Sequence, residues 1–294
     1  MPQITRVGLV AKHHLDAAAG VLAELAGWLE ARHVQAVFET ETAALVGLPP
    51  GRPTTSRDDL PKACDLIVVL GGDGTFIGMA GRIAQSGADI PILGVNFGSL
   101  GFLTEVTLVE LYDVLDSALQ GTAQFDERMM LRARTIRDGQ AHSDRIVLND
   151  VVITKAALSR ITDLSVSLGR ESVMRVRADG LIIATPTGST AYNLAAGGPI
   201  VHPSVDSLLL TPIAPHMLTN RPVVVPGSSE IRVQPMMDGS NDEVYVTFDG
   251  QFGHPLEPED IIDIRRAERA LKLVRATKRT YFELLREKLK WGQR

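Results

Sequence analysis

Apolar positions near the start of the chain alternate between two spacings. The short run Arg6–Ala11 is mostly apolar and predicts a buried strand, and the residues after it repeat at helical spacing on one face: Leu15, Ala18, Leu22, Leu25 and Leu29. The alternation continues with strands predicted over Val34–Glu39, Leu66–Leu70 and Ile90–Val95, and with helices predicted over Phe76–Gln85 and Leu108–Leu119. Between them, the proline-rich residues 45–63 predict a loop. This order of elements predicts a parallel sheet with helices on its faces.

The pattern changes after about residue 125. Short segments rich in β-branched residues follow one another between turn residues, which is typical of an all-β domain. The last segment, KRTYFELLREKLKWGQR, returns to a helix with Phe282, Leu285 and Leu289 on one face, and we expect that face to pack back on the first domain. The sequence therefore predicts an N-terminal Rossmann-like α/β domain of residues 1–124, completed by 270–294, and a C-terminal β-sandwich-like domain of residues 125–269.

Composition and charge exclude several functional classes. The chain has 294 residues, 45% of them hydrophobic, and a net charge of -5, which argues against a nucleic-acid partner. Cys64 is the only cysteine, so an intrachain disulfide is impossible and a reducing compartment fits. The first residues lack the pattern of a signal peptide, and no apolar stretch is long enough to cross a bilayer. We expect a soluble, cytoplasmic protein without a membrane partner.

The strongest local signal is LIVVLGGDGTF, residues 66–76, in which a buried strand runs into a glycine-rich turn before a helix. Glycines allow close backbone approach to a ligand, and a helix start favours phosphate. The Asp73 carboxylate within the turn would be repelled by a bound polyphosphate, so its presence there indicates a chemical role. It would either hold Mg²⁺ or accept the proton of an attacking hydroxyl. The structural alternative is an aspartate that only caps the next helix.

Further segments carry polar side chains in apolar surroundings. Asn149 and Asp150 interrupt an apolar strand and have the groups to bind ribose hydroxyls, although a strand end with a turn is an equal alternative. Residues 178–201 concentrate small and hydroxyl side chains, with Tyr192 available to stack on a base. In the strand before them Arg177 and Asp179 alternate onto one face, which is either solvated or faces a ligand. The segments GVNFGSLGFLTE (94–105) and FDGQ (248–251) are, by themselves, typical of ordinary connections.

The glycine turn resembles the phosphate loop shared by NAD kinases, diacylglycerol and sphingosine kinases and, with a variation, phosphofructokinases. With the other segments in the same order, the chain resembles the bacterial NAD kinase family over nearly its whole length. The resemblance implies that Asp73 is the general base and that the donor's phosphates bind a loop of five residues: Gly71, Gly72, Asp73, Gly74 and Thr75. It implies NAD contacts from a larger set: Asp73, Gly74, Asn149, Asp150, Arg160, Arg177, Asp179, Thr190, Ala191, Tyr192, Asn193, Leu194, Ala195 and Gln251.

The implied reaction is Mg²⁺- or other divalent-metal-dependent transfer of the γ-phosphoryl group of ATP to the adenosine-ribose 2′-hydroxyl of NAD. Other triphosphates or polyphosphate as donor, and NADH as acceptor, stay open, as do the metal ligands. The family also implies a homo-oligomer, either a dimer or a tetramer. Asn193 and Ala195 stand where the family commonly has serines, so a side-chain contact from Ala195 is in doubt. A lipid or sugar kinase and a non-catalytic dinucleotide sensor are the alternatives.

Overall fold

The computed structural model of the protein describes residues 3–48, 51–98, 100–156, 161–217, 219–237, 243–275 and 279–291. Arg160, one of the residues expected to contact NAD, lies outside these described residues. By contacts the chain divides into two units, an α/β unit of Met1–Glu127 with Leu271–Arg294 and a β unit of Arg128–Ala270.

The described strands are, in chain order, β1 Arg6–Ala11, β2 Gln35–Glu39, β3 Thr54–Thr55, β4 Leu66–Gly71, β5 Ile92–Asn96, β6 Phe125–Arg128, β7 Leu131–Arg137, β8 Gln140–Val147, β9 Asp150–Lys155, β10 Thr162–Leu168, β11 Glu171–Ala178, β12 Gly180–Ala184, β13 Ser207–Ile213, β14 Val223–Pro226, β15 Ile231–Pro235, β16 Val244–Phe248, β17 Phe252–Leu256, β18 Ile261–Arg266 and β19 Leu271–Val274. The described helices are α1 Ala18–Glu30, α2 Thr40–Val46, α3 Leu60–Ala63, α4 Asp73–Ser86, α5 Leu111–Leu119, α6 Tyr192–Ala195 and α7 Tyr281–Leu289, with a 3₁₀ turn at Thr187–Thr190.

The α/β unit is built on one seven-stranded sheet in the order β3-β2-β1-β4-β5-β19-β6. The pairs from β3 across to β19 are parallel, as the alternation of strands and helices predicts. All six residues of β4 are buried, which explains why this strand is an unbroken apolar run. The strand order reverses between β1 and β4, and in sheets of this kind ligands bind beyond the carboxyl ends of the strands at such a point.

Two local predictions for this unit are wrong. Residues 45–63 contain β3 and the short helix α3 in addition to loop, because Pro61 in the first turn of α3 is compatible with a helix start. The helix predicted from Phe76 begins at Asp73, since the glycines that indicate a turn also fit a first helical turn.

The β unit consists of two six-stranded antiparallel sheets, in the orders β11-β10-β15-β18-β7-β8 and β14-β13-β12-β9-β16-β17. A single core is made by alternating residues of both sheets, for example Leu164 and Val166 of β10 with Leu181 and Ile183 of β12. The β-sandwich-like prediction is therefore confirmed. In the second sheet β9 pairs with β12 on one side and with β16 on the other. The polar segments of the candidate site lie at the ends of these three strands.

The C-terminal segment returns to the α/β unit. The helix α7 begins with a capping box, in which Thr280 accepts from the Glu283 amide and Glu283 accepts from the Thr280 amide. Its buried residues are Leu284 and Leu285, whereas Phe282 is 58% exposed. The prediction that Phe282 lies on the buried face is therefore wrong. The buried face of α7 is centred between Leu284 and Leu285, and Phe282 lies outside it.

Candidate active site

The glycine turn lies at the carboxyl end of β4, where the sheet order reverses. Gly71 is the last residue of β4, Gly72 is the N-cap of α4, and Asp73 opens the first helical turn. The turn is therefore shorter than the sequence indicates. Backbone amides in the first turn of a helix lack helical acceptors and carry partial positive charge, so they are suited to phosphate oxygens. Gly74 is exposed in this turn, and a side chain there would have open space around it.

The carboxylate of Asp73 ties this turn to the loop that follows β5. Its Oδ1 accepts from the amides of Leu103 and Thr104 at 3.1 and 3.0 Å and from the Thr104 hydroxyl at 3.0 Å, while its Oδ2 accepts from the Phe102 amide at 2.8 Å. A Cβ at Gly101 would collide with the same carboxylate and with the Thr104 hydroxyl. Asp73 thus does more than cap a helix, and Oδ2, with one bond among the described residues, keeps room for another donor.

Lys12 lies next to the glycine turn and was missed by the sequence reasoning. Its amide donates to the Leu70 carbonyl at 2.9 Å, and a Cβ at Gly71 would sit 3.1 Å from its Cβ. Lys12, His13 and His14 also line a cavity of about 450 Å³ beyond β1. Lys12 follows β1, and the strand order with its reversal at β1 and β4 is the signal that would have found it.

In the β unit, Leu148 and Asn149 form the break between β8 and β9, and Asp150 is the first residue of β9, so this segment does lie at a strand end. Asn149 and Asp150 are buried, with 9% and 5% exposure, yet they line a cavity of about 380 Å³. The cavity brings together four of the residues expected to contact NAD: Asn149, Asp150, Ala191 and Tyr192. Its other lining residues are Val152, Thr154, Thr247, Asp249 and Gly250.

The break at Asn149 is held from one side by the segment after β12. The Thr185 hydroxyl donates to the Leu148 carbonyl at 2.6 Å, and the Thr185 amide donates to the Asn149 carbonyl at 2.9 Å. Gly188 packs on the same backbone, because a Cβ there would lie 2.6 Å from the carbonyl carbon of Asn149 and 2.8 Å from its Cα. The small residues of this motif therefore support the position of Asn149.

Asn193 has a structural task in the same segment. Its amide nitrogen donates to the carbonyls of Ser189 and Pro199 at 3.0 and 3.1 Å, and its amide oxygen accepts from the Thr211 hydroxyl at 2.6 Å. The residue is fully buried and the polar atoms of its side chain are engaged within the protein. The polar side chain that the sequence shows at this position serves packing of the motif.

The remaining predicted residues are not among those that line the cavity. Arg177 and Ala195 are exposed, and Gln251 lies exposed at the turn after β16. Thr190 and Leu194 are half-buried. The Asp179 carboxylate pairs with the Lys155 ammonium group at 2.9 Å, which gives it a protein partner at the far end of β9.

Asp249 is the main residue of the β unit that sequence reasoning did not single out. Its carboxylate accepts from the amides of Leu148, Asn149 and Asp150 at 2.7, 2.7 and 3.0 Å. Burial raises the pKa of this carboxyl to about 6, against the effect of the three amides. Burial and the charge of Asp249 together raise the pKa of Asp150 to about 7. Two carboxyls that titrate near neutrality therefore stand at one cavity.

The raised pKa of Asp150 predicts a pH-dependent gain in stability for Asp150→Asn. Between about pH 4 and pH 7 the folded protein keeps a proton on Asp150 that the unfolded chain has lost, so the wild type loses stability steadily as pH rises over this range, and the full cost of the buried charge is present above pH 7. At pH 8 we expect the variant to exceed the wild type in free energy of unfolding by a few kcal/mol (order of magnitude), and this advantage to shrink towards pH 5. Thermal unfolding at both pH values measures it.

Asp260→Asn is the matched control for this prediction. Burial opposes ionisation of Asp260, but hydrogen bonds from Arg137 and from the Glu257 amide outweigh it and hold the pKa of Asp260 below its usual value. The control is expected to lose stability at pH 8. Equal changes for Asp150→Asn at pH 8 and pH 5 would contradict the prediction.

Each of the two units carries groups suited to nucleotide chemistry. The α/β unit has a helix start suited to phosphates with a fixed carboxylate, and the β unit has a cavity with amide, carboxyl and aromatic side chains. These features are typical of a phosphotransferase that acts on a nucleotide substrate.

Comparison with known proteins identifies the family. The ATP-NAD kinase N-terminal domain matches residues 7–123 and the ATP-NAD kinase C-terminal domain matches residues 148–276. The NAD kinases of Geotalea daltonii and Geobacter sulfurreducens are 47% and 48% identical to the chain over 289 residues, covering 98% of it and 99% of each relative. The chain belongs to the NAD kinase family. Its activity is therefore phosphorylation of NAD to NADP.

Solved structures agree with this assignment. Yeast NADH kinase in complex with NADH superimposes with a TM-score of 0.89 at 27% identity, covering 100% of this chain and 90% of that one. An NAD kinase from Archaeoglobus fulgidus in complex with ATP has a TM-score of 0.75 at 24% identity, covering 96% and 99%, and shows the same fold.

Proposed function

We propose that the protein transfers the γ-phosphoryl group of ATP to the 2′-hydroxyl of the adenosine ribose of NAD, with Asp73 as the general base. The observation that carries this proposal is the fixed Asp73 carboxylate, whose Oδ2 accepts one hydrogen bond among the described residues and is open to a second donor. A positioned carboxylate in hydrogen-bond reach of a hydroxyl takes up its proton as the phosphoryl group is transferred.

NAD binds in the β unit at the cavity lined by Asn149, Asp150 and Tyr192. Among the described residues, Oδ1 of Asn149 is a buried acceptor with no partner, which suits it to a hydroxyl or amino group of the ligand. Asp150 in its ionised form accepts from ribose hydroxyls. The ring of Tyr192, 45% exposed, is free to stack on a base. The cavity volume of about 380 Å³ lies in the range of small-molecule sites.

The other NAD contacts in the proposal rest on the family resemblance alone. They come from the side chains of Arg160, Arg177, Asp179, Thr190 and Gln251 and from the backbone of residues 193–195. The backbone is proposed for residues 193–195 because the Asn193 amide already binds groups of the protein and the side chains of Leu194 and Ala195 are apolar.

The donor's phosphates bind at Gly71–Thr75, supported by the amides that begin α4 and by the charge of Lys12. Among the described residues no three His, Cys, Asp or Glu side chains come together as a metal site. In phosphoryl transfer Mg²⁺ is held largely by substrate phosphates and water, so the residues fit a divalent ion that arrives with ATP. When bound, such an ion neutralises charge on the transferring group. The chain's own residues fix the donor, orient the acceptor and take up its proton.

The test is formation of NADP from NAD, ATP and Mg²⁺, followed with an NADP-specific dehydrogenase. We expect removal of divalent metal with EDTA to lower the rate by at least about 100-fold, and excess Mg²⁺ to restore it, because the charge on the donor is then unneutralised. Polyphosphate replaces ATP in a second arm, and diacylglycerol or fructose 6-phosphate replaces NAD in a third. NAD binding without product in any arm would favour a dinucleotide sensor.

The proposal includes a cytoplasmic location and a homo-oligomer, a dimer or tetramer. The location is supported by the single, buried Cys64 and the expected reducing compartment. Within the described part of the chain no helix has the length and apolar character to cross a membrane. Oligomerisation rests on the family resemblance, and light scattering of the purified protein tests it.

A further inference from the structure

Asp249 sits in a tight turn that fixes the direction of its side chain. The turn joins β16 to β17, and its two central residues, Asp249 and Gly250, have φ values of 52° and 62°. Both lie in the left-handed region, as the two central residues of a type I′ turn over residues 248–251 require. The Gln251 amide closes the turn by donating to the Phe248 carbonyl at 2.9 Å. The carboxylate is therefore delivered by a rigid element.

Asp249 fixes the backbone of the segment that contains Asn149 and Asp150. The Asp249 carboxylate takes the amides of Leu148, Asn149 and Asp150, and the Asp249 amide donates back to the Asp150 carbonyl at 3.0 Å. A carboxylate that accepts several backbone amides makes the strong, charge-assisted kind of hydrogen bond. Thr185 holds the opposite edge of the same segment, so both edges of the break are fixed.

The electrostatic surroundings of Asp150 are simple. Among the described residues that line the cavity, the titratable ones are Asp150, Asp249 on the turn after β16, and Tyr192 on α6. The strands beside Asp150 place Ala184 of β12 opposite it and Phe248 of β16 opposite the next residue. Asp249 is thus the charged neighbour that opposes ionisation of Asp150.

We propose that Asp249 is a positioning residue for NAD, which fixes Asn149 and Asp150 by accepting three successive backbone amides and places its own carboxylate beside that of Asp150. The inference rests on the proposed NAD site at Asn149 and Asp150. It adds a residue that acts through them and whose charge adds to burial in raising the pKa of Asp150.

The wild type is expected to bind NAD more weakly as pH falls. Since the pKa of Asp150 is raised to about 7, its ionised fraction drops about tenfold between pH 8 and pH 6. If the ionised form accepts from ribose, the dissociation constant of NAD rises about tenfold over the same range. Isothermal titration of the full-length protein with NAD at several pH values measures this without turnover.

Asp249→Asn tests the positioning role. Asparagine keeps the shape but presents an amide NH₂ to one of the three N–H donors, so NAD binding at pH 8 is expected to weaken about tenfold or more. Removal of the charge is expected to move the acid midpoint of binding to lower pH by about half a unit or more. Asp249→Glu keeps the charge and displaces the segment, so it weakens binding and leaves the midpoint near that of the wild type. Asp260→Asn controls for loss of a buried carboxylate elsewhere.

The outcomes separate this inference from the proposed site. Weaker NAD binding in Asp249→Asn with a shifted midpoint supports it, whereas wild-type binding or an unmoved midpoint overturns it. If Asp249→Asn does not fold, wild-type binding by Asp249→Glu overturns it equally. Asn149→Ala tests the site itself, because unaltered NAD binding by this variant contradicts the proposed NAD site at Asn149 and Asp150. If Asn149→Ala binds NAD weakly and Asp249→Asn binds it like the wild type, the positioning role alone is contradicted.

Discussion

Asp73→Asn is expected to lower kcat by about 10²- to 10⁴-fold, the usual contribution of a positioned general base. Asparagine has no site that takes up a proton from the ribose hydroxyl. It also presents an NH₂ group where the carboxylate accepts from the amides of Phe102, Leu103 and Thr104. We therefore expect a loss of about 1–3 kcal/mol in stability as well, with the fold and NAD binding retained. Steady-state kinetics with saturating NAD and ATP, beside thermal unfolding, measures both effects.

Thr104→Val separates the two roles of Asp73. Valine has nearly the shape of threonine, and the change removes one of the four hydrogen bonds to the carboxylate without altering its charge. We expect kcat within about tenfold of the wild type, because three bonds still hold Asp73. An Asp73→Asn enzyme with a near-wild-type kcat would refute the base assignment, and so would a Thr104→Val enzyme as slow as Asp73→Asn.

Gly188→Ala is expected to weaken NAD binding at least about tenfold and to cost about 1–3 kcal/mol of stability. The added Cβ would meet the backbone of Asn149 at 2.6 and 2.8 Å, and neither segment is a flexible side chain that can move aside. Relief requires a shift of the 3₁₀ turn or of Asn149, and either shift moves the Asn149 amide relative to the cavity. Titration with NAD and denaturant unfolding measure the two effects.

Gly20→Ala is the matched control for this change. Gly20 lies within α1, and a Cβ there would meet no atom within 4 Å. The free energy of unfolding is expected to increase by about 0.5–1 kcal/mol with NAD binding unchanged, because alanine restricts the unfolded chain and favours a helix. Gly188→Ala with wild-type stability and affinity would show that the contact at Asn149 is not restrictive.

The sequence predicts the architecture well because the relevant signals are local. The apolar run of β4 and the helical spacing of α1 depend on burial of neighbouring positions, and both elements form as expected. The prediction errors arise where one sequence pattern is compatible with two local structures. The glycines of residues 71–74 indicate a turn, but they also fit the end of a strand and the start of a helix, so the beginning of α4 was placed three residues late.

The site was predicted less completely because its contacts join distant parts of the chain. Asp73 was identified by its charge within a glycine turn, yet its partners at residues 102–104 have no local pattern that points to it. Asp249 belongs to an ordinary Asp-Gly hairpin by sequence, and its contact with Asn149 spans 100 positions. Asn193 is polar and lies within a binding motif, but only the structure shows that Thr211 and two carbonyls occupy its amide.

The position of β19 has a consequence for synthesis of the chain. This strand lies between β5 and β6, although residues 271–274 follow the whole β unit in sequence. On the ribosome the β unit is therefore complete before the α/β unit is, and it is free to fold while β5 and β6 still lack the strand between them. During that interval the nascent chain carries two open strand edges, which are the usual sites of misassociation. Folding of the β unit does not close these edges, so they stay exposed until β19, the last described strand of the chain, has emerged.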